Sequence, residues 1–138
     1  MPHKDRPSAT SHLLSEPVTI RDARTVTGAG LGKTIGVPTI NINLSDVPPS
    51  LDHGIYACVV FIDSQKYKGA LHFGPRPAVQ RDVAMEVHLI DAVLRHLPST
   101  VSVTIIGRIR DVRDFPSLDA LRKAIADDVK TARGMLSA

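Results

Sequence analysis

The segment "VAMEVHLID" (residues 83–91) alternates apolar Val83, Met85, Val87 and Leu89 with Ala84, Glu86, His88 and Ile90. On a strand, that alternation puts a carboxylate beside an imidazole on the face opposite the apolar one. A glutamate held on a partly buried strand face can act as general base toward a hydroxyl. The same pattern also describes a solvated strand residue, with His88 as a hydrogen-bonded structural group rather than a second base. A second pair lies in "PTIN": on a strand Thr39 and Asn41 share a face, so a hydroxyl and a carboxamide oxygen can converge on one ligand or one hard cation. Two polar residues on an exposed strand face would look identical. The third feature is the loop "GAGLGKTIGVP", whose glycines let backbone N–H groups approach a polyanion, or serve only as turns.

This loop is not a P-loop. That pattern needs a glycine five positions before the Gly of Gly-Lys-Thr, and counting back from Gly32 lands on Thr27. A P-loop also runs into a helix, whereas Lys33 and Thr34 are followed by Ile35, Gly36, Val37 and Pro38. Proline and glycine there cost a helix about 3 and about 1 kcal/mol. The dinucleotide pattern fails too, because its third glycine would fall at Lys33. The loop leads into a strand.

The elements that must position these groups are mostly strands. The segments "VTIRDARTV", "VPTINI", "GIYACVVFID", "YKGALHFG", "VAMEVHLID" and "TVSVTIIGRIR" are separated by Gly, Pro and Asp at the spacing of a sandwich or barrel. "FIDSQKYKGA" predicts a hairpin with Asp63, Ser64 and Gln65 near its tip. After Phe115 and Pro116 the period changes: Leu118, Leu121, Ile125, Val129 and Ala132 recur at helical spacing, with Ser117 as N-cap and Asp119 in the first turn. That helix needs the outside or the open end of a barrel to pack against. Residues 1–17 mix Pro, Ser, Thr, His and charge without an apolar period and predict a disordered tail, leaving residues 18–138 as the folded domain.

Composition narrows the function classes. At 138 residues the chain is expected to form one domain, with a core that needs no disulfide or metal staple. Its one cysteine, Cys58, lies in an apolar run and is expected to be a small core residue. Scattered His53, His72 and His96 form no metal-binding spacing. Apolar runs fall short of a membrane span, so a cytoplasmic protein with no membrane partner is expected. A net charge of +3 admits a phosphorylated ligand, while 4% aromatics and dispersed basic residues argue against nucleic acid.

Taken in order, the pieces resemble the riboflavin kinase family, the flavokinase module that occurs alone or fused behind an adenylyltransferase. The family's glycine-rich and basic loop ending in Gly-Phe/Ile/Val-Pro-Thr-Ala-Asn is matched by "GLGKTIGVPTIN". Its Gly-Ile/Val-Tyr strand is matched by "GIYACVVF", its Gly-x-x-Pro turn by "GPRP", and its Glu-x-His by Glu86 and His88. A long strand ending in Arg110, then Phe115 and the helix with "DDVKTAR", complete the likeness.

The resemblance implies an all-β fold with a C-terminal helix: a six-stranded antiparallel Greek-key barrel. It further implies transfer of the γ-phosphoryl group of ATP, with Mg²⁺, to the 5′-hydroxyl of riboflavin, giving FMN and ADP. Glu86 would be the catalytic base. Gly28, Gly30, Gly32, Lys33, Gly36, Pro38, Thr39 and Asn41 would bind the nucleotide, Thr39 and Asn41 also holding the metal. Arg110, Phe115 and the segment leading into the last helix would form a flap over the flavin. One chain can close such a barrel, so a monomer is expected, and without an adenylyltransferase domain FAD synthesis is not. The alternative is a non-catalytic flavin- or nucleotide-binding module on the same barrel. It is motivated by two departures, "DAVLRHLPSTV" for the family's Asp-Leu/Phe-Tyr-Gly segment and "HFGPRPAV" with Ala78 for its threonine; a third, Ile40 for the family's alanine, falls on the face opposite Thr39 and Asn41.

Overall fold

A computed structural model describes residues 11–26, 39–75 and 82–137. Six strands, β1 (His12–Val26), β2 (Thr39–Ile42), β3 (Gly54–Ile62), β4 (Gln65–Pro75), β5 (Val83–Ile90) and β6 (Thr100–Arg110), are followed by helix α1 (Leu118–Leu136). A single 3-10 turn, Leu44–Asp46, follows β2, with Asn43 as its cap. All pairings are antiparallel, and they close in the order β1-β2-β5-β4-β3-β6. The meander β3-β4-β5 with β6 returning beside β3 is the Greek-key arrangement expected from the family likeness.

Alternation explains which side of each strand goes inward. Ile40 and Ile42 of β2, Met85, Val87 and Leu89 of β5, and Val101, Val103 and Ile105 of β6 fill the barrel with Cys58, Val60 and Leu71. Cys58 is fully buried there, and burial pushes its thiol up to about 12, so it is an inert core residue at neutral pH. A second, smaller apolar cluster lies on the outer face: Ile55, Ala57, Ala70, Ile90 and Ile109 receive Ala132, with Val129 and Met135 packed at the margin. Helix α1 thus covers the outside of β3, β4 and β6.

Turns follow local chemistry. Ile62 pairs with Gln65, leaving Asp63 and Ser64 as a two-residue hairpin loop with both φ positive (48° and 73°), the primed geometry that matches strand twist. Ser117 caps α1 by accepting a hydrogen bond from the Ala120 N–H at 3.1 Å. The segment after β5 turns on Asp91 (φ 55°), whose carboxylate receives Arg133 of α1 at 3.0 Å, while Ala92 and Leu94 pack on the core.

Two expectations need correction. Residues 12–17 are not tail but the start of β1: His12 and Leu13 pair with Arg108 and Gly107 through their backbones, so no apolar alternation is required of them. Residues 1–10 lie outside the described residues. Leu118, placed on the apolar stripe of α1, is exposed, and the buried line runs through Leu121, Ala124, Asp128 and Ala132 instead. A carboxylate in the middle of that line is invisible to apolar periodicity. Among the described residues no helix is long and apolar enough to cross a membrane.

Candidate active site

The outer face of the barrel carries one continuous row of directly paired residues. Asn41 of β2 pairs with Glu86 of β5, Glu86 with His72 of β4, His72 with Ile55 of β3, and Ile55 with Arg110 of β6. Directly opposed residues of antiparallel strands lie on the same face. One step along, Thr39 pairs with His88, and His88 with Ala70. The hydroxyl and carboxamide of β2 are therefore brought beside the carboxylate and imidazole of β5, which no spacing in the sequence predicts.

Every buried polar or charged side chain of the described residues belongs to this region: Asn41, His72, Glu86, His88 and Asp128. Burial of that kind needs partners. His72 Nε2 lies 3.1 Å from the Pro75 carbonyl, a contact in which the ring nitrogen must donate. His88 Nδ1 lies 3.3 Å from Thr39 Oγ1. Burial, with nearby His72 as a lesser cause, lowers His88 to about 4, so its ring is neutral at physiological pH. A neutral ring beside a hydroxyl can fix the hydroxyl's orientation without adding charge.

Beyond Arg110 the row ends in an aromatic wall. The chain turns after β6 so that Phe115 receives the guanidinium of Arg110 at 5.5 Å and that of Arg113 at 5.1 Å from the ring centre. Arg110 is held from α1: its Nε donates to Asp128 Oδ1 at 2.8 Å and its second terminal nitrogen to Oδ2 at 2.7 Å. Burial pushes the Asp128 carboxyl up, and the hydrogen bonds and charge of Arg110 oppose that shift.

Between barrel and helix lies an open cleft of about 580 Å³, mouth included. Ile55, His72, Glu86 and His88 form its barrel side, and Leu121, Ile125 and Asp128 its helix side. Arg110, Val112, Arg113 and Phe115 close one end. A carboxylate thus lines a mostly apolar slot with a guanidinium and aromatic end, the composition of a small-molecule site.

Glu86, Arg110 and Phe115 line this one cleft, and Thr39 and Asn41 adjoin it through their pairing with β5. Gly28, Gly30, Gly32, Lys33, Gly36 and Pro38 lie outside the described residues. The ends that carry that loop are adjacent, since Val26 pairs with Asn41. At the Gly-x-x-Pro turn, Gly74 has φ 148°, and a Cβ there would lie 2.9 Å from Val112. Both facts require glycine. Ala78 of that turn lies outside the described residues. Sequence reasoning missed His72, Arg113 and Asp128; a histidine alternating with Leu71 and Phe73 was the available signal for the first.

A family model described as riboflavin kinase (flavokinase) matches residues 14–136. The chain is 34% identical over 125 residues to a bifunctional riboflavin kinase/FMN adenylyltransferase of Pseudomonas fluorescens, covering 89% of this chain and 40% of that protein. Against the bifunctional riboflavin kinase/FMN adenylyltransferase of Escherichia coli K12 it is 36% identical over 132 residues, covering 94% and 41%. It therefore spans about two fifths of the length of these relatives. A solved riboflavin kinase from Trypanosoma brucei superposes with a TM-score of 0.59 at 24% identity, covering 88% of this chain and 81% of that one, which shows the shared fold.

Proposed function

The chain belongs to the riboflavin kinase family, and from that membership we propose that it transfers the γ-phosphoryl group of ATP to the 5′-hydroxyl of riboflavin. The observation that carries the reading is the paired row. Glu86 is buried at the cleft between Asn41 and His72, with Arg110 and Phe115 at the far end of the same slot. The isoalloxazine ring would occupy the apolar end against Phe115, and the ribityl chain would run toward Glu86.

In the reaction the 5′-oxygen attacks the γ-phosphorus, the bond to the β,γ-bridging oxygen breaks, and ADP leaves. Glu86 takes the hydroxyl proton. Such transfers depend on positioning and charge neutralisation more than on covalent chemistry by the protein. Thr39 and Asn41 present oxygen donors of the kind a hard cation takes, and they would hold Mg²⁺, which neutralises phosphate charge when bound. Among the described residues no three His, Cys, Asp or Glu side chains cluster as a metal site, which suits a cation completed by nucleotide phosphates. Residues 28–36 would cover the phosphates. His88, neutral and next to the Thr39 hydroxyl, would keep that hydroxyl turned to its ligand. Because the barrel closes within one chain, we read the working unit as a monomer.

The test is incubation of the protein with riboflavin, ATP and Mg²⁺ followed by chromatography of the flavins. FMN that requires both ATP and the metal is the expected result. Riboflavin that binds yet stays unphosphorylated would overturn the kinase and leave the binding-module alternative.

A further inference from the structure

Asp128 is the one buried carboxylate of α1, 6% exposed, while its neighbour Asp127 points outward in a pair with Lys123. It occupies the line along which α1 otherwise buries Leu121, Ala124 and Ala132. A buried ion pair is seldom more stabilising than apolar residues of the same volume, so stability alone does not explain a carboxylate there. Its partner does. Two nitrogens of Arg110 form a fork on the two Asp128 oxygens, and the remaining terminal nitrogen donates to the Asp111 carbonyl at 2.9 Å. All three nitrogens are engaged, and the guanidinium carbon lies 5.5 Å from the Phe115 ring centre.

We propose that Asp128 is a positioning residue for flavin recognition: by fixing the Arg110 guanidinium it holds the Arg110–Phe115 wall ready to receive a planar heteroaromatic ring. Neutralisation by Asp128 also makes Arg110 a flat stacking surface rather than a free cation competing for phosphate. Prior ordering of that wall raises affinity by removing the cost of arranging it on binding. This inference rests on the riboflavin kinase reading above, and it concerns the ring rather than the reacting hydroxyl. Loss of Asp128 therefore weakens riboflavin far more than ATP.

Two variants test it, Asp128→Asn and the double replacement R110M/D128L, each followed by riboflavin fluorescence titration, steady-state kinetics in both substrates and thermal melting. Loss of a hydrogen bond to a charged group corresponds to about a 10- to 100-fold change. Asp128→Asn is expected to raise the riboflavin Kd and KM by about that factor, with the ATP KM within about threefold of the parent. The double variant, whose ion pair becomes an apolar contact, is expected to melt like the parent while staying as weak for riboflavin. It shows whether the wall needs the guanidinium itself; if Asp128→Asn fails to fold, Asp128→Glu, which moves the carboxylate out of the fork, carries the test with the same expected loss and the same overturning result. Riboflavin affinity unchanged in Asp128→Asn, or restored in R110M/D128L, would make Asp128 a purely structural residue and overturn the proposal. A parent protein that binds no riboflavin would instead overturn the functional reading, and the proposal with it.

Discussion

Glu86 stands directly opposite Asn41 across the β2–β5 ladder and directly opposite His72 across the β5–β4 ladder. The proposed base is thereby flanked on one side by a carboxamide from the strand that follows the glycine-rich loop. On its other side is an imidazole tied to the Pro75 carbonyl. Because the register is set by the whole closed sheet, no single loop has to hold this arrangement.

Glu86→Gln keeps the shape of the side chain and removes its basicity. Turnover to FMN is expected to fall by about 10² to 10⁴, the usual contribution of a positioned acid or base, while riboflavin binding by fluorescence is retained. A variant that turns over at the parent rate would take Glu86 out of the mechanism.

His88 links stability to pH. Its folded-state value of about 4 lies below the ordinary 6.5, so the unfolded chain binds the extra proton between those values. The contribution is fully present above pH 6.5 and is lost as pH falls toward 4; its size is about 3 kcal/mol. Urea unfolding across this range should show the parent losing stability more steeply than His88→Asn. Parallel curves would mean that His88 takes up its proton in the folded protein as readily as in the unfolded chain.

Gly54 is required by Arg108. A Cβ at Gly54 would lie 1.9 Å from a terminal nitrogen of Arg108. That side chain donates to the His53 carbonyl at 3.1 Å and the Tyr56 hydroxyl at 3.3 Å, pairs with Asp111, and lies over the Tyr56 ring. Gly54→Ala should displace the guanidinium and cost about 1.5–3 kcal/mol, the range for hydrogen bonds to a charged group. The same change made in Arg108→Ala should cost little more, and additive losses in the double-mutant cycle would refute the link.

Ser117→Ala removes the cap of α1, whose Leu121, Ile125 and Asp128 line the cleft. About 1 kcal/mol of stability should be lost, and Ser117→Asp should recover most of it. Calorimetry reads the stability, and hydrogen exchange in α1 reads whether the first turn opens. Unchanged exchange in the alanine variant would show that packing alone holds the helix end.

The positions of the strands, the hairpin and the capped helix were legible in the chain because each depends on neighbours a few residues away. Alternation put Met85, Val87 and Leu89 inward and Glu86 and His88 on the other face. Serine three residues before Ala120 could cap, and Asp63, Ser64 and Gln65 could turn the chain, although Gln65 already belongs to β4. The motif order also identified the family, and with it Glu86, Thr39 and Asn41 as candidate site residues. Where local signals were weak the reading failed: His12 and Leu13 join β1 through backbone pairing before a register shift that runs to Val18, and Leu118 kept the helical period yet faces solvent.

Barrel closure decided the rest. Antiparallel register, summed around six strands, aligned Asn41, Glu86, His72, Ile55 and Arg110 into one row, although they are spread over 70 positions of sequence numbering. The docking of α1 brought Asp128 onto Arg110. A polar side chain carries no mark in sequence of the partner it will meet. His72 and Asp128 became readable only when the sheet and helix had fixed what lies opposite them.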